Sequence, residues 1–285
     1  YVAVSPPPLG TCAPLVRYAD WHALDYIEFH VSHVCNLNCK GCCHFSSLTK
    51  QKLPDYDELY RGITRLKELV PYIKEIHLLG GEPLINPELP RYALRTRDLY
   101  PNAKIVVVSN ALLADRLTDE TIDVFRKTDI KVSITAYPGV FDKIEKGIAF
   151  LQAHGVLGNV HTATEFTKML SRNKQPFPYQ TTEYVCHCPN LVGTKLYACP
   201  LIAYLPDFNA QFHLDFPTAG GCVDLMEENM TFEKLREDLY RPFPLCEQCR
   251  SYLTEGIRAA NDDSFSWSSY KPGETPAASD WLLEK

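Results

Sequence analysis

No stretch of this 285-residue chain approaches 18 consecutive apolar residues, so no membrane-spanning helix is expected. A basic surplus is also missing: 29 Lys and Arg stand against 35 Asp and Glu, a net charge of −6. Phosphate backbones need a basic surface, which argues against nucleic acid as the main partner and leaves a small molecule as the expected one. The start lacks a charged, apolar, small-residue leader, which makes the cytoplasm the expected compartment. Internal repeats are lacking too. Hydrophobic residues make up 45% of the chain, enough for a full core in one large domain with an appended module, or in two domains.

Cysteine, by contrast, is plentiful, with eleven residues. A reducing compartment does not support a disulfide framework of that size. The cysteines cluster at 35, 39, 42 and 43, at 186, 188 and 199, and at 222, 246 and 249, with Cys12 alone. Two groups separated by a long cysteine-free segment suggest two metal sites, the alternative being buried thiols acting as small hydrophobes.

Residues 1–24 carry Pro6, Pro7, Pro8 and Pro14 and read as an extended arm. From Tyr26 the pattern alternates between strand-like and helix-like segments. Strands are expected at 26–32, 75–79, 104–109, 130–135 and 159–164. Helices are expected at 55–70, 88–99, 118–127 with Thr118 as N-cap, and 142–154. This alternation implies parallel βαβ units and an α/β fold over residues 25–170. Beyond 170 the segments become short, aromatic and proline-punctuated. Residues 184–186 and 195–197 around Gly193 suggest a hairpin, and 231–239 a short helix. These belong to a small module over 171–255, and residues 256–285 read as a tail lying across the surface.

Cys35-x3-Cys39-x2-Cys42 follows the first strand. Three thiolates hold three irons of a [4Fe–4S] cluster and leave the fourth iron open to a cofactor. Zinc is the competing reading, with His44 as a fourth ligand, although zinc usually takes paired C-x2-C units. Gly80-Gly81-Glu82-Pro83 closes the second strand. The two motifs together, in this order, resemble the radical S-adenosylmethionine superfamily over roughly residues 24–170.

The resemblance implies a partial (β/α)6 barrel and a [4Fe–4S] cluster on Cys35, Cys39 and Cys42. S-adenosylmethionine would bind the open iron and be cleaved reductively to a 5′-deoxyadenosyl radical. Gly80, Gly81, Glu82 and Pro83 fall where the family contacts the methionine amino group, with glycine there letting backbone approach the cofactor. Ser109 and Asn110 fall where it places ribose contacts, turn chemistry being their other reading. Thr135 and Glu165, at later strand ends, face the same mouth. An electron donor such as flavodoxin or ferredoxin would supply the electron. One departure stands out: the usually aromatic position before the third cysteine is Gly41, which leaves Phe45 or backbone to meet the adenine. Cys43 reads as a packed thiol.

The later cysteines resemble the twitch module, a shortened relative of the SPASM extension. By that resemblance Cys188, Cys199, Cys246 and Cys249 would hold an auxiliary [4Fe–4S] cluster, with Cys186 as the alternative to Cys188. A structural zinc on the same residues remains the competing reading. Cys222, in Gly220-Gly221-Cys222, is a candidate hydrogen-atom donor to a substrate radical, or else a buried thiol.

The expected substrate is carbohydrate-like, as in aminoglycoside or glycan pathways, because little chain precedes the first strand for a leader-binding domain. The outcome would be epimerisation or alcohol dehydrogenation. A maturase of a ribosomal peptide and a non-catalytic iron–sulfur or zinc protein are the other classes. His30, His77, Glu165 and Asp215 are unranked candidates for substrate contact.

Overall fold

The computed structural model describes residues 22–49, 52–183, 185–186, 188–251 and 263–283. Cys12, most of the expected N-terminal arm and Tyr184 lie outside them. The chain runs β1 (Ala23–Ser32), α1 (Tyr56–Leu69), β2 (Tyr72–Gly80), α2 (Leu89–Leu99), β3 (Lys104–Ser109), α3 (Asp119–Lys127), β4 (Lys131–Ala136), α4 (Phe141–Ala153) and β5 (Leu157–Thr162). These five strands pair in parallel in sequence order, each linked by a helix. This is the α/β fold that the alternation predicts, in the partial-barrel form that the resemblance implies.

Local chemistry explains the boundaries. Asp55 accepts from the Glu58 N–H and Thr118 from the Thr121 N–H, so α1 and α3 start on side-chain caps. Pro71 follows the end of α1, where a proline cannot extend the helix. Leu59, Ile63 and Leu66 recur at helical spacing and are fully buried, so α1 packs its apolar stripe inward. On β1, Ile27, Phe29 and Val31 are fully buried on one face. The opposite face carries Glu28, His30 and Ser32, which are also buried. A parallel strand covered on both sides is usually apolar throughout, so these polar residues are the exception to account for.

After β5 come β6 (Glu165–Thr167), β7 (Leu170–Ser171), β8 (Asn190–Val192), β9 (Lys195–Tyr197), α5 (Pro200–Phe212), β10 (Cys222–Asp224), α6 (Phe232–Tyr240), β11 (Ser264–Ser266) and β12 (Leu282–Leu283). The main sheet has eight strands, ordered β10-β9-β8-β1-β2-β3-β4-β5. β8 pairs in parallel with β1, and β9 and β10 follow antiparallel. The late hairpin therefore continues the barrel sheet. It joins β8 to β9, so its first arm lies at 190–192 rather than at 184–186. α5 escaped the sequence reading because Pro206 interrupts its pattern. Pro200 sits in its first turn, where a missing N–H costs nothing, and His213 closes it in the left-handed conformation (φ 53°).

The described part of the tail, mostly exposed or half-buried over 264–280, is tied into the fold at both ends. β11 pairs with β6, and β12 with β7. Trp281 is fully buried, its ring near Phe45, Phe208, Phe212 and Tyr270, and its indole N–H donates to the Cys42 carbonyl at 2.9 Å. Trp281→Ala is expected to cost about 3–5 kcal/mol in urea unfolding, against under about 0.5 kcal/mol for the exposed Met226→Ala.

Candidate active site at the strand ends

The carboxyl ends of β2–β5 and the cysteine loop that follows β1 line a cavity of about 510 Å³, within the range of small-molecule sites. Its wall includes Cys35, Cys39, Cys42, Gly80, Gly81, Glu82, Ser109, Asn110, Thr135 and Glu165. Residues that the sequence placed on five separate segments thus meet at one mouth. Pro83 is buried just behind Glu82, opening the short turn that follows.

Hydrogen bonds tie the glycine motif to the loop. The Gly81 N–H donates to the Ser32 carbonyl at 2.8 Å and the Glu82 N–H to the Val34 carbonyl at 2.7 Å. A Cβ on Gly80 (φ +139°) would stand 1.9 Å from the Ser32 oxygen, and one on Gly81 2.2 Å from the Val34 oxygen. Both glycines are therefore required where two backbone segments of the protein meet, a need separate from cofactor approach.

Glu82 is fully engaged. Its Oε1 accepts from Ser109 Oγ (2.7 Å) and the Leu84 N–H (3.0 Å), and its Oε2 from the Asn110 N–H (2.9 Å). Asn110 Nδ2 reaches the Asn36 side chain at 2.6 Å, inside the cysteine loop, while its Oδ1 accepts from the Leu112 N–H. Ser109 and Asn110 therefore do turn chemistry and line the cavity at once.

The cysteine loop is held from outside as well. Cys39 Sγ accepts from the Trp267 indole N–H at 3.3 Å, and the Tyr270 N–H donates to the Asn38 carbonyl. Burial pushes the Cys35 thiol far up and the Cys39 thiol to about 12, the latter partly offset by Trp267. Ionising such thiols needs positive charge in the cavity. Among the described residues no three cysteine sulfurs lie within 4.8 Å of one another.

Gly41 (φ +68°) has a structural partner: a Cβ there would stand 2.6 Å from the Phe265 ring. The tail's Phe265 takes the space beside this position. Phe45 is buried against Phe208 and Trp281 and does not line the cavity, so it is not the adenine contact. Tyr137 and Phe166 are the aromatic wall residues, joined by His161, Thr167 and Met169. The sequence carried no local signal for these five, because they converge only through the curl of β4–β6.

Cys222 is not among the residues that line the cavity. It opens β10, the outermost strand and three strands from β1, with Tyr197 and Phe243 nearby. Among the later cysteines, Cys186 and Cys199 each have Cys246 and Cys249 as electrostatic neighbours. The neighbours of Cys188 are Glu28, Cys43 and His44 instead. Cys188 is in turn a weaker electrostatic neighbour of Cys186. The Cys246–Cys249 turn docks on β7, and Met169 and Ser251 beside it reach the cavity wall.

Burial raises the Glu82 carboxyl to about 7, against the opposing hydrogen bonds of Asn110, Ser109 and Leu84. Between pH 4.5 and 7 the folded chain thus keeps a proton that the unfolded chain has released. Stability is expected to fall by about 3 kcal/mol as pH rises through that window and to level off above it. Urea titrations of cluster-free protein should show this slope, and Glu82→Gln should abolish it.

Residues 29–168 match the radical SAM superfamily. A GTP 3′,8-cyclase of Sulfurimonas denitrificans is 27% identical over 141 residues, covering 48% of this chain and 41% of the relative. That of Chlorobaculum tepidum is 26% identical over 100 residues, covering 35% and 30%. The match spans about two-fifths or less of the length of these curated relatives. Among solved structures, BtrN in complex with AdoMet and 2-DOIA aligns with a TM-score of 0.46 and 17% identity, over 80% of this chain and 93% of BtrN. Streptococcus suis SuiB bound to S-adenosylmethionine aligns with a TM-score of 0.41 and 14% identity, over 67% and 48%. The three cysteines and the glycine motif of the strand-end cavity lie within the matched span, and residues 29–168 of this chain belong to the radical SAM superfamily.

Proposed function

We propose that this chain uses S-adenosylmethionine for radical dehydrogenation of an alcohol on a small, carbohydrate-like substrate. The observation that carries this reading is the convergence of Cys35, Cys39 and Cys42 with the Gly80–Glu82 segment, Ser109 and Asn110 on one cavity. Cys35, Cys39 and Cys42 would hold a [4Fe–4S] cluster, and with S-adenosylmethionine bound beside it the pair would supply radical hydrogen-abstraction chemistry. Ser109, Asn110 and the backbone of Gly80–Gly81 orient the cofactor, and Thr135 and Glu165 face the substrate.

Dehydrogenation requires the substrate to lose a hydrogen atom from carbon, then a hydroxyl proton and one electron. His161 and Glu165 at the mouth are positioned to take the proton. Cys186, Cys199, Cys246 and Cys249 would hold the auxiliary cluster that takes the electron, their Cys-x2-Cys turn adjoining Met169 and Ser251 of the cavity wall. The edge position of Cys222 weighs against the epimerising alternative, which needs a thiol at the substrate. A nucleoside triphosphate substrate is disfavoured: the described cavity residues include no Lys or Arg, the side chains that phosphate clamps use. A flavodoxin or ferredoxin is the expected reductant.

Reconstituted anaerobically and given a reductant, the protein is expected to release 5′-deoxyadenosine. The Cys35→Ala/Cys39→Ala/Cys42→Ala variant should fall to background. Iron should be about eight per chain in the wild type, about four in Cys186→Ala/Cys246→Ala, and unchanged in Cys188→Ala. Equal iron loss in Cys188→Ala and Cys186→Ala would overturn the ligand assignment, and absence of 5′-deoxyadenosine the enzymatic reading.

A further inference from the structure

Glu28 and His30 lie two residues apart on β1 and so share one face, and Asn190 of β8 is the register partner of Glu28. His44 reaches the same place from the end of the cysteine loop. Glu28 and His30 are buried, and His44 is nearly so. Glu28 Oε2 stands 3.8 Å from His30 Nε2 and 3.6 Å from His44 Nε2, and the three atoms lie within 4.8 Å of one another. These separations exceed hydrogen-bond length, and each of the three buried atoms lacks a hydrogen-bond partner. The remaining polar atom of each side chain is held. Glu28 Oε1 accepts from the Tyr26 hydroxyl at 2.8 Å, His30 Nδ1 meets the Tyr204 hydroxyl, and His44 Nδ1 meets Cys43 Sγ at 3.4 Å. Three oriented side chains thus aim three unpaired donors at one point.

We propose that Glu28, His30 and His44 bind one zinc ion, at a mononuclear site separate from both cysteine sets. The arrangement supplies a carboxylate oxygen and two imidazole nitrogens, each fixed through its other atom as metal ligands usually are. With bonds of about 2.1 Å, ligand atoms of a tetrahedral ion stand about 3.4 Å apart, which the separations of 3.6 and 3.8 Å approach. The fourth position faces Asn190, whose buried carboxamide oxygen also has no partner and which adjoins His30. The ion would pin the cysteine loop, two residues beyond Cys42, to β1. The proposal does not depend on the radical reading, since neither cysteine set contributes a ligand.

The test is metal analysis of the full-length chain purified anaerobically, with zinc and iron counted together. About one zinc per chain is expected in the wild type, and it should persist in Cys35→Ala/Cys39→Ala/Cys42→Ala while iron falls. Glu28→Gln and His44→Gln, checked for native fold by circular dichroism, should each lose at least about nine-tenths of the zinc. Cobalt exchanged into wild-type protein gives a second readout that does not depend on how those variants fold. Visible bands of four-coordinate cobalt without sulfur-to-cobalt charge transfer are expected. Zinc that disappears with the three cysteines, zinc unchanged in folded Glu28→Gln and His44→Gln, or six-coordinate cobalt would each overturn the proposal.

Discussion

The seam between the end of β1 and the Gly80–Glu82 segment sets the geometry on which the rest depends. Two backbone hydrogen bonds, from Gly81 to Ser32 and from Glu82 to Val34, hold it. The Glu82 carboxylate then reaches across to Ser109 and Asn110, and Asn110 returns to Asn36 in the cysteine loop. Three strand ends and one loop thereby become a single frame around the cavity. The frame tolerates no Cβ at Gly80 or Gly81, because carbonyl oxygens occupy that space.

A second constraint acts from the opposite side. Residues 263–283 fold over the cysteine loop and anchor through Trp281 in the core. Trp267 donates to Cys39, Trp281 to the Cys42 carbonyl, and Phe265 occupies the space beside Gly41. The absence of an aromatic residue before the third cysteine is thus matched by an aromatic arriving from more than two hundred residues away. Donors aimed at the sulfur and backbone of the loop also tune what those thiols can hold.

The hairpin β8–β9 extends the barrel sheet beyond β1. The Cys246–Cys249 turn bridges to Leu170, beside Met169 of the cavity wall. The same topology carries Cys222 to the sheet edge. It also sets Asn190 opposite Glu28, closing the buried polar group under the loop.

Read alone, the sequence determined the βαβ alternation, the caps at Asp55 and Thr118, and the two motifs that mark the radical SAM domain. All of these are local: helical and strand periods, hydroxyl and carboxylate caps, and fixed spacings of cysteine and glycine act within a few residues. Only the tertiary structure decided where Cys222 lies and how the tail packs. It alone brought His161, Tyr137 and Phe166 to the cavity and turned Glu28, His30 and His44 toward one point. Those outcomes depend on strand order, sheet curl and the burial of Trp281, and no spacing along the chain encodes the distance between side chains that such packing sets.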